Sequence, residues 1–154
     1  MLGNDIVDLD LAKIQSNWRR KNYLNKIFTT DEQLLISSAK NSDEMVWLLW
    51  SMKESAYKIH NRTTGIRNFA PKSLKCSIYT SIRQVEGLVN IDEHTYFTKS
   101  DLHLSYLHTI ASAVYNELAE ININIYQSPE NLFDYKSTKP GCVSHHGRYL
   151  ALIY

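Results

Sequence analysis

Glu54 and Lys58 stand four residues apart in a stretch, 43–59, that reads as one helix, so their side chains share a face. The plain reading of such a pair is a solvated ion pair worth about 0.2–0.5 kcal/mol. The neighbours point elsewhere: Trp47, Trp50 and Met52 wrap the same stretch in apolar side chains, which makes Lys53-Glu54 a candidate site. Asp5 and Asp8 flank a short apolar run, Ile6-Val7. Either they solubilise a chain end, or a carboxylate at a strand's start meets a helix glutamate and makes a hard oxygen site. Mg²⁺ typically takes one or two carboxylates and leaves the remaining positions to substrate phosphates and water. Arg19, Arg20, Lys21 and Lys26 form the one dense basic cluster. It reads as a solvated helix face or as a docking surface for an acidic protein or for phosphates.

Other chemistries find less support. His103, Ser105 and His108 lack the spacing of a zinc triad, and no G-x-S-x-G elbow surrounds Ser105. His145 and His146 are adjacent, and neighbours on a strand point to opposite faces, which argues against a joint metal site. Cys76 and Cys142 form no C-x-x-C pair, so a cysteine zinc site is not expected and both read as reduced thiols. There is no P-loop and no G-x-G-x-x-G.

These residues need elements to hold them. Ile6-Val7 reads as a short buried strand, and Ser16 as the cap of a helix carrying Trp18 to Lys21. Thr30-Asp31-Glu32-Gln33 resembles a capping box. Ser42, with Asp43 and Glu44 after it, opens a long helix to about Ile59. Gly65 and Pro71 end this helical half. Alternation then predicts strands at 74–79, 102–107 and 121–126, with weaker ones at 85–91 and 94–98 and a last one at 149–154. A polar loop with Pro129, Pro140 and Gly141 is expected over 127–142. The fold class is α+β, helices packed on an antiparallel sheet.

The 154 residues fit a single domain with one core and no need of disulfides. With 17 Lys and Arg against 16 Asp and Glu, the net charge is +1, which argues against a nucleic-acid binder held by bulk charge. No apolar run reaches the ~18 residues of a membrane span. The opening MLGNDIVDLD is acidic and not a signal peptide, so a cytoplasmic protein is expected.

Taken together the segments resemble the 4′-phosphopantetheinyl transferase superfamily. Gly3-Asn4-Asp5-Ile6-Val7-Asp8 is similar to its G-x-D-I-V-[ED] start, and Lys26-Ile27-Phe28-Thr29-Thr30-Asp31-Glu32 to its [RK]-[IV]-F-T-x-x-E segment. Trp50 to Lys58 matches W-x-x-K-E-[SA]-x-x-K, and Ser105-Tyr106-Leu107-His108-Thr109 resembles the later S-x-S-H-[TS] segment. The resemblance runs in order over residues 3–115. It implies transfer of the phosphopantetheine arm of coenzyme A to a serine of an acyl or peptidyl carrier protein, releasing adenosine 3′,5′-bisphosphate. By the resemblance Asp5 and Glu54 would bind Mg²⁺, and Lys58, with Lys53 as a second, would pair with phosphate oxygens. Glu54 would help take the serine proton. His108 and Ser105 would hold the adenosine 3′-phosphate, and Gly65 would let backbone approach the diphosphate. The basic cluster from Arg19 to Lys26 would face the acidic carrier protein.

Three features depart from the family pattern. Val7 stands where the larger, two-lobed members carry an extra acid, which implies the two-carboxylate site and the homotrimer of the short holo-acyl-carrier-protein synthases. Leu107 replaces the usual serine before the histidine. Residues 116–154 have no counterpart in the resemblance and could add a strand, block trimer contacts or alter the target. Two competing readings are a coenzyme A-binding relative that no longer transfers and a protein-interaction domain using the basic helix.

Overall fold

The structure is a computed structural model, and it describes residues 1–79, 84–127 and 135–154. The described chain runs β1 (Leu2–Asp8), α1 (Leu9–Gln15), α2 (Tyr23–Ile27), α3 (Thr30–Ser38) and α4 (Ser42–Thr64). It continues through β2 (Lys75–Ile78), β3 (Gln84–Ile91), β4 (His94–Leu102), β5 (Tyr106–Ser112) and β6 (Ile123–Gln127), and closes with β7 (Cys142–His146) and β8 (Tyr149–Ile153). One antiparallel sheet has the order β1-β5-β4-β3-β2, and a smaller one the order β6-β8-β7. Helices on an antiparallel sheet are the α+β class that the patterning predicts.

The main core lies between α4 and the larger sheet. Val46, Leu49, Met52, Ala56 and Ile59 recur at helical spacing and pack with Val85, Val89, Tyr96, Leu107 and Ala111. β1 is an edge strand with work on both faces. Val7 joins the α4 core, while Ile6 packs with Tyr149 and Ala151 of β8. Gly3 lets β1 lie against α4: a Cβ there would sit 2.1 Å from the Ser55 carbonyl oxygen, which is backbone and cannot swing aside. Gly3→Ala should therefore push β1 away from α4 and lose about 1–3 kcal/mol by overpacking. Chemical denaturation checks this, and an unchanged midpoint would show that the contact yields freely.

Several boundaries differ from those the sequence suggests. Ser16 closes α1 as its C-cap, and no helix carries residues 17–22, which form turns. The capping box belongs to Thr29 and Glu32, one residue earlier than expected: Glu32 N donates to Thr29 Oγ1 (3.2 Å) and Thr29 N to Glu32 Oε2 (2.8 Å). Asn41 caps α4, and the helix runs on to Thr64. The expected strand at 102–107 is a corner instead, with β4 ending at Leu102 and β5 starting at Tyr106. Of the expected loop at 127–142, the part with Pro129 lies outside the described residues; 135–138 form a 3₁₀ turn and Cys142 opens β7.

Candidate active site

β1 and α4 bring Asp5, Glu54 and Lys58 together. Ser51 Oγ donates to the Asp5 carbonyl oxygen at 3.4 Å, and two turns further along α4 Lys58 Nζ donates to the Asn4 carbonyl oxygen at 2.6 Å. These bonds dock the helix on the edge strand. Lys58 Nζ then stands 3.8 Å from Asp5 Oδ1, with the Asp5 side chain 14% exposed. Burial holds the Asp5 carboxyl above its usual range against the opposing pulls of Lys58 and the Ser144 and Ser51 hydroxyls. Glu54 is pushed up to about 7, first by burial and then by the charge of Asp5, with Lys58 opposing. Two crowded carboxylates thus share one nearby ammonium.

The site is walled by β7. The open edge of β1 presents unpaired backbone N–H groups. Side chains of β7 cap them: Ile6 N donates to Ser144 Oγ (3.0 Å) and Asp8 N to His146 Nδ1 (2.9 Å). Ser144 Oγ in turn donates to Asp5 Oδ1 at 3.1 Å. Asp5, Glu54, His145, His146, Tyr23, Trp47 and Trp50 are among the residues lining a cavity of about 240 Å³. A cleft of about 540 Å³, lined in part by Lys13 and His103, shares Trp47 with it. Asp8 turns to the other side and pairs with Arg148, whose guanidinium (Nε and Nη2, 2.8 Å each) holds the carboxyl well below the usual carboxylate range.

Four of the expected site residues have partners of their own away from the Asp5–Glu54 pair. Lys53 is not brought to this cluster. It points into the protein, fully buried, and its ammonium donates to Glu32 Oε2 (2.7 Å) and the carbonyls of Leu74 (2.7 Å), Pro71 (2.8 Å) and Ile27 (3.2 Å). No N–H is left for a phosphate. His108 is buried beside Asn4 (Nδ2···Nε2 3.3 Å), and burial pulls it down to about 4, so near pH 7 it is a neutral imidazole. Ser105 Oγ is bonded to the Tyr149 hydroxyl at 2.8 Å. Gly65 is the left-handed cap of α4 (φ 76°), eleven residues and roughly 16 Å of helix beyond Glu54.

The basic cluster lies on the loop 16–22 and on α2, and not on one helix face. Arg19 Nη1 reaches Asp43 at 2.8 Å, and the Arg20 guanidinium lies 5.1 Å over the Tyr23 ring at the cavity wall. Lys21 and Lys26 are exposed. The residues sequence reasoning missed are Ser144, His146 and Arg148. The signal was the alternation of Cys142, Ser144 and His146 before the two-residue link Gly147-Arg148, which marks a hairpin.

The site's acidity has a testable signature. Glu54 holds its proton more tightly folded than unfolded, so its contribution makes stability fall as pH rises from 4.5 to about 7. His108 acts oppositely, because its neutral folded form makes stability rise from about 4 to 6.5. The Asp5 carboxyl, also raised by burial, adds to the fall. Glu54→Gln should therefore shift the profile toward the His108 rise, gaining stability relative to wild type as pH goes from 4.5 to about 7, and a denaturation profile parallel to wild type would contradict the assignment.

The family model of the 4'-phosphopantetheinyl transferase superfamily matches residues 1–111, which span β1 through nearly all of β5. This chain belongs to that superfamily and is a transferase of the phosphopantetheinyl class. Among solved structures it is similar to a Thermotoga maritima holo-[acyl-carrier-protein] synthase, at 12% identity and a TM-score of 0.52 over 98% of this chain and 81% of that one. At that identity the likeness speaks for the fold. No curated protein sequence matches the chain significantly. Among the described residues no helix is long and apolar enough to cross a membrane.

Proposed function

We propose that the chain transfers the 4′-phosphopantetheine arm of coenzyme A to a serine hydroxyl of an acyl or peptidyl carrier protein, in the manner of a Mg²⁺-dependent holo-acyl-carrier-protein synthase. The observation that carries this reading is the Asp5–Glu54 pair beside Lys58, half-buried at the β1–α4 contact inside the family-matched span. Two crowded carboxylates with one ammonium nearby suit a divalent cation. Among the described residues no group of three or more His, Cys, Asp or Glu surrounds a metal position. Asp5 and Glu54 would hold Mg²⁺ by two carboxylates and leave its other positions to diphosphate and water. Bound there, Mg²⁺ supplies neutralisation of charge on the transferring phosphoryl group and the leaving oxygen.

The chain's own residues account for the rest. Lys58 pairs with a diphosphate oxygen at the strand edge. Glu54 takes the proton of the carrier serine. The serine oxygen bonds to phosphorus as the phosphoanhydride bond to adenosine 3′,5′-bisphosphate breaks. Tyr23, Trp47 and Trp50 keep water from the reacting group. The cleft that shares Trp47 gives room for the remainder of the nucleotide. The basic loop of Arg19, Arg20 and Lys21, with Lys26, faces the carrier protein, and a homotrimer completes the reading.

Titration calorimetry with coenzyme A in Mg²⁺ and in EDTA tests it. Binding with Mg²⁺ that weakens at least tenfold in EDTA is expected, each tenfold being about 1.4 kcal/mol. No binding in either buffer would contradict the reading, and sedimentation in the same buffers checks the trimer.

A further inference from the structure

β7 lies outside the family-matched residues, yet it places an imidazole in the site. The backbone N–H of Asp8 donates to His146 Nδ1 at 2.9 Å. A ring nitrogen that accepts carries no proton, so the proton of this imidazole is on Nε2. Among the described residues nothing bonds Nε2, and His146 lines the cavity with Asp5 and Glu54. An Nε2 that bears hydrogen cannot ligate a metal. It can donate to an anion lying beside the two carboxylates, and the anion that belongs there is the one a cation bridges to them.

We propose that His146 is a substrate-binding residue whose Nε2–H donates to a diphosphate oxygen of coenzyme A, so that the C-terminal β7–β8 hairpin completes the site from within the same chain. The fixed tautomer gives the contact its direction. β1 supplies a metal-binding carboxylate from Asp5 and, three residues on, the N–H that sets the ring. The inference deepens the transferase reading and rests on it.

His146→Asn keeps an acceptor for Asp8 N but is too short to reach the cavity. His146→Gln carries a carboxamide N–H to the place of Nε2. Dissociation constants are measured by calorimetry in saturating Mg²⁺ for coenzyme A and for dephospho-coenzyme A, which lacks only the 3′-phosphate. The account expects His146→Asn to weaken both ligands equally, by about tenfold to a hundredfold, the worth of one hydrogen bond to a charged group. His146→Gln should stay within a factor of a few of wild type, and if the Asn variant does not fold, His146→Ala takes its place and should show the same loss for both ligands. The proposal is overturned if both variants match wild type, if they are equally weak, or if the loss vanishes with dephospho-coenzyme A, which would move the contact to the 3′-phosphate. Wild type that binds neither ligand would overturn the transferase reading itself.

Discussion

Glu54→Gln is expected to lower transfer by about a thousandfold while the protein stays folded. The carboxamide keeps the volume and the half-buried position on α4. It removes a negative charge that would hold a cation and the base that would accept the serine proton. Several kcal/mol of transition-state stabilisation depend on that charge, and about 4 kcal/mol is a factor of a thousand. The folded state loses nothing comparable, because the ionised carboxyl is held there against burial and against Asp5. At pH 8 without metal the variant should be at least as stable as wild type. Turnover near wild type would remove Glu54 from the chemistry, and an unfolded variant would make it a structural residue.

Lys53→Met, one position away, should do the opposite. Its charge is spent on Glu32, whose other oxygen accepts from Cys76 N at 2.8 Å, so the pair ties α4 to α3 and β2. Removing the ammonium leaves Glu32 buried with uncompensated charge, which costs about 3–5 kcal/mol. That is a large share of the roughly 5–15 kcal/mol by which domains are stable. The double variant Lys53→Met, Glu32→Gln should recover part of the loss, because the stranded charge is gone. Equilibrium denaturation reads all three proteins. A single variant with the wild-type midpoint and weakened coenzyme A binding would return Lys53 to the phosphate.

The contrast between these neighbours shows what the sequence holds and what it hides. Spacing put Glu54 and Lys58 on one face of a helix and Asp5 beside a short strand, and the structure brings the three together. The W-x-x-K-E-S-x-x-K pattern made Lys53 look equivalent to Lys58. Nothing in the linear pattern records that one points to Asp5 and the other to Glu32, since that depends on where α3 and β2 pack. Likewise His108 sits in a phosphate-like motif, but the β6–β8–β7 sheet covers its strand: Ala151 accepts from the same Asn4 side chain that stands beside the ring. The pairing of β7 with β1 is made by side chains on an edge more than 130 residues distant in sequence, and no local pattern encodes it. The start of α3 slipped for a simpler reason. Thr29 and Thr30 are both good caps, and only the reciprocal bond of Glu32 chooses between them.

The most direct test of the account is the intact mass of an apo acyl carrier protein after incubation with this protein, coenzyme A and Mg²⁺, with an EDTA control. The account predicts that the carrier gains the mass of one phosphopantetheine arm, that the gain disappears in EDTA, and that Glu54→Gln all but abolishes it. A carrier that keeps its apo mass across several acyl and peptidyl carriers, while coenzyme A binds in calorimetry, would contradict the transfer and leave a protein that holds coenzyme A without using it.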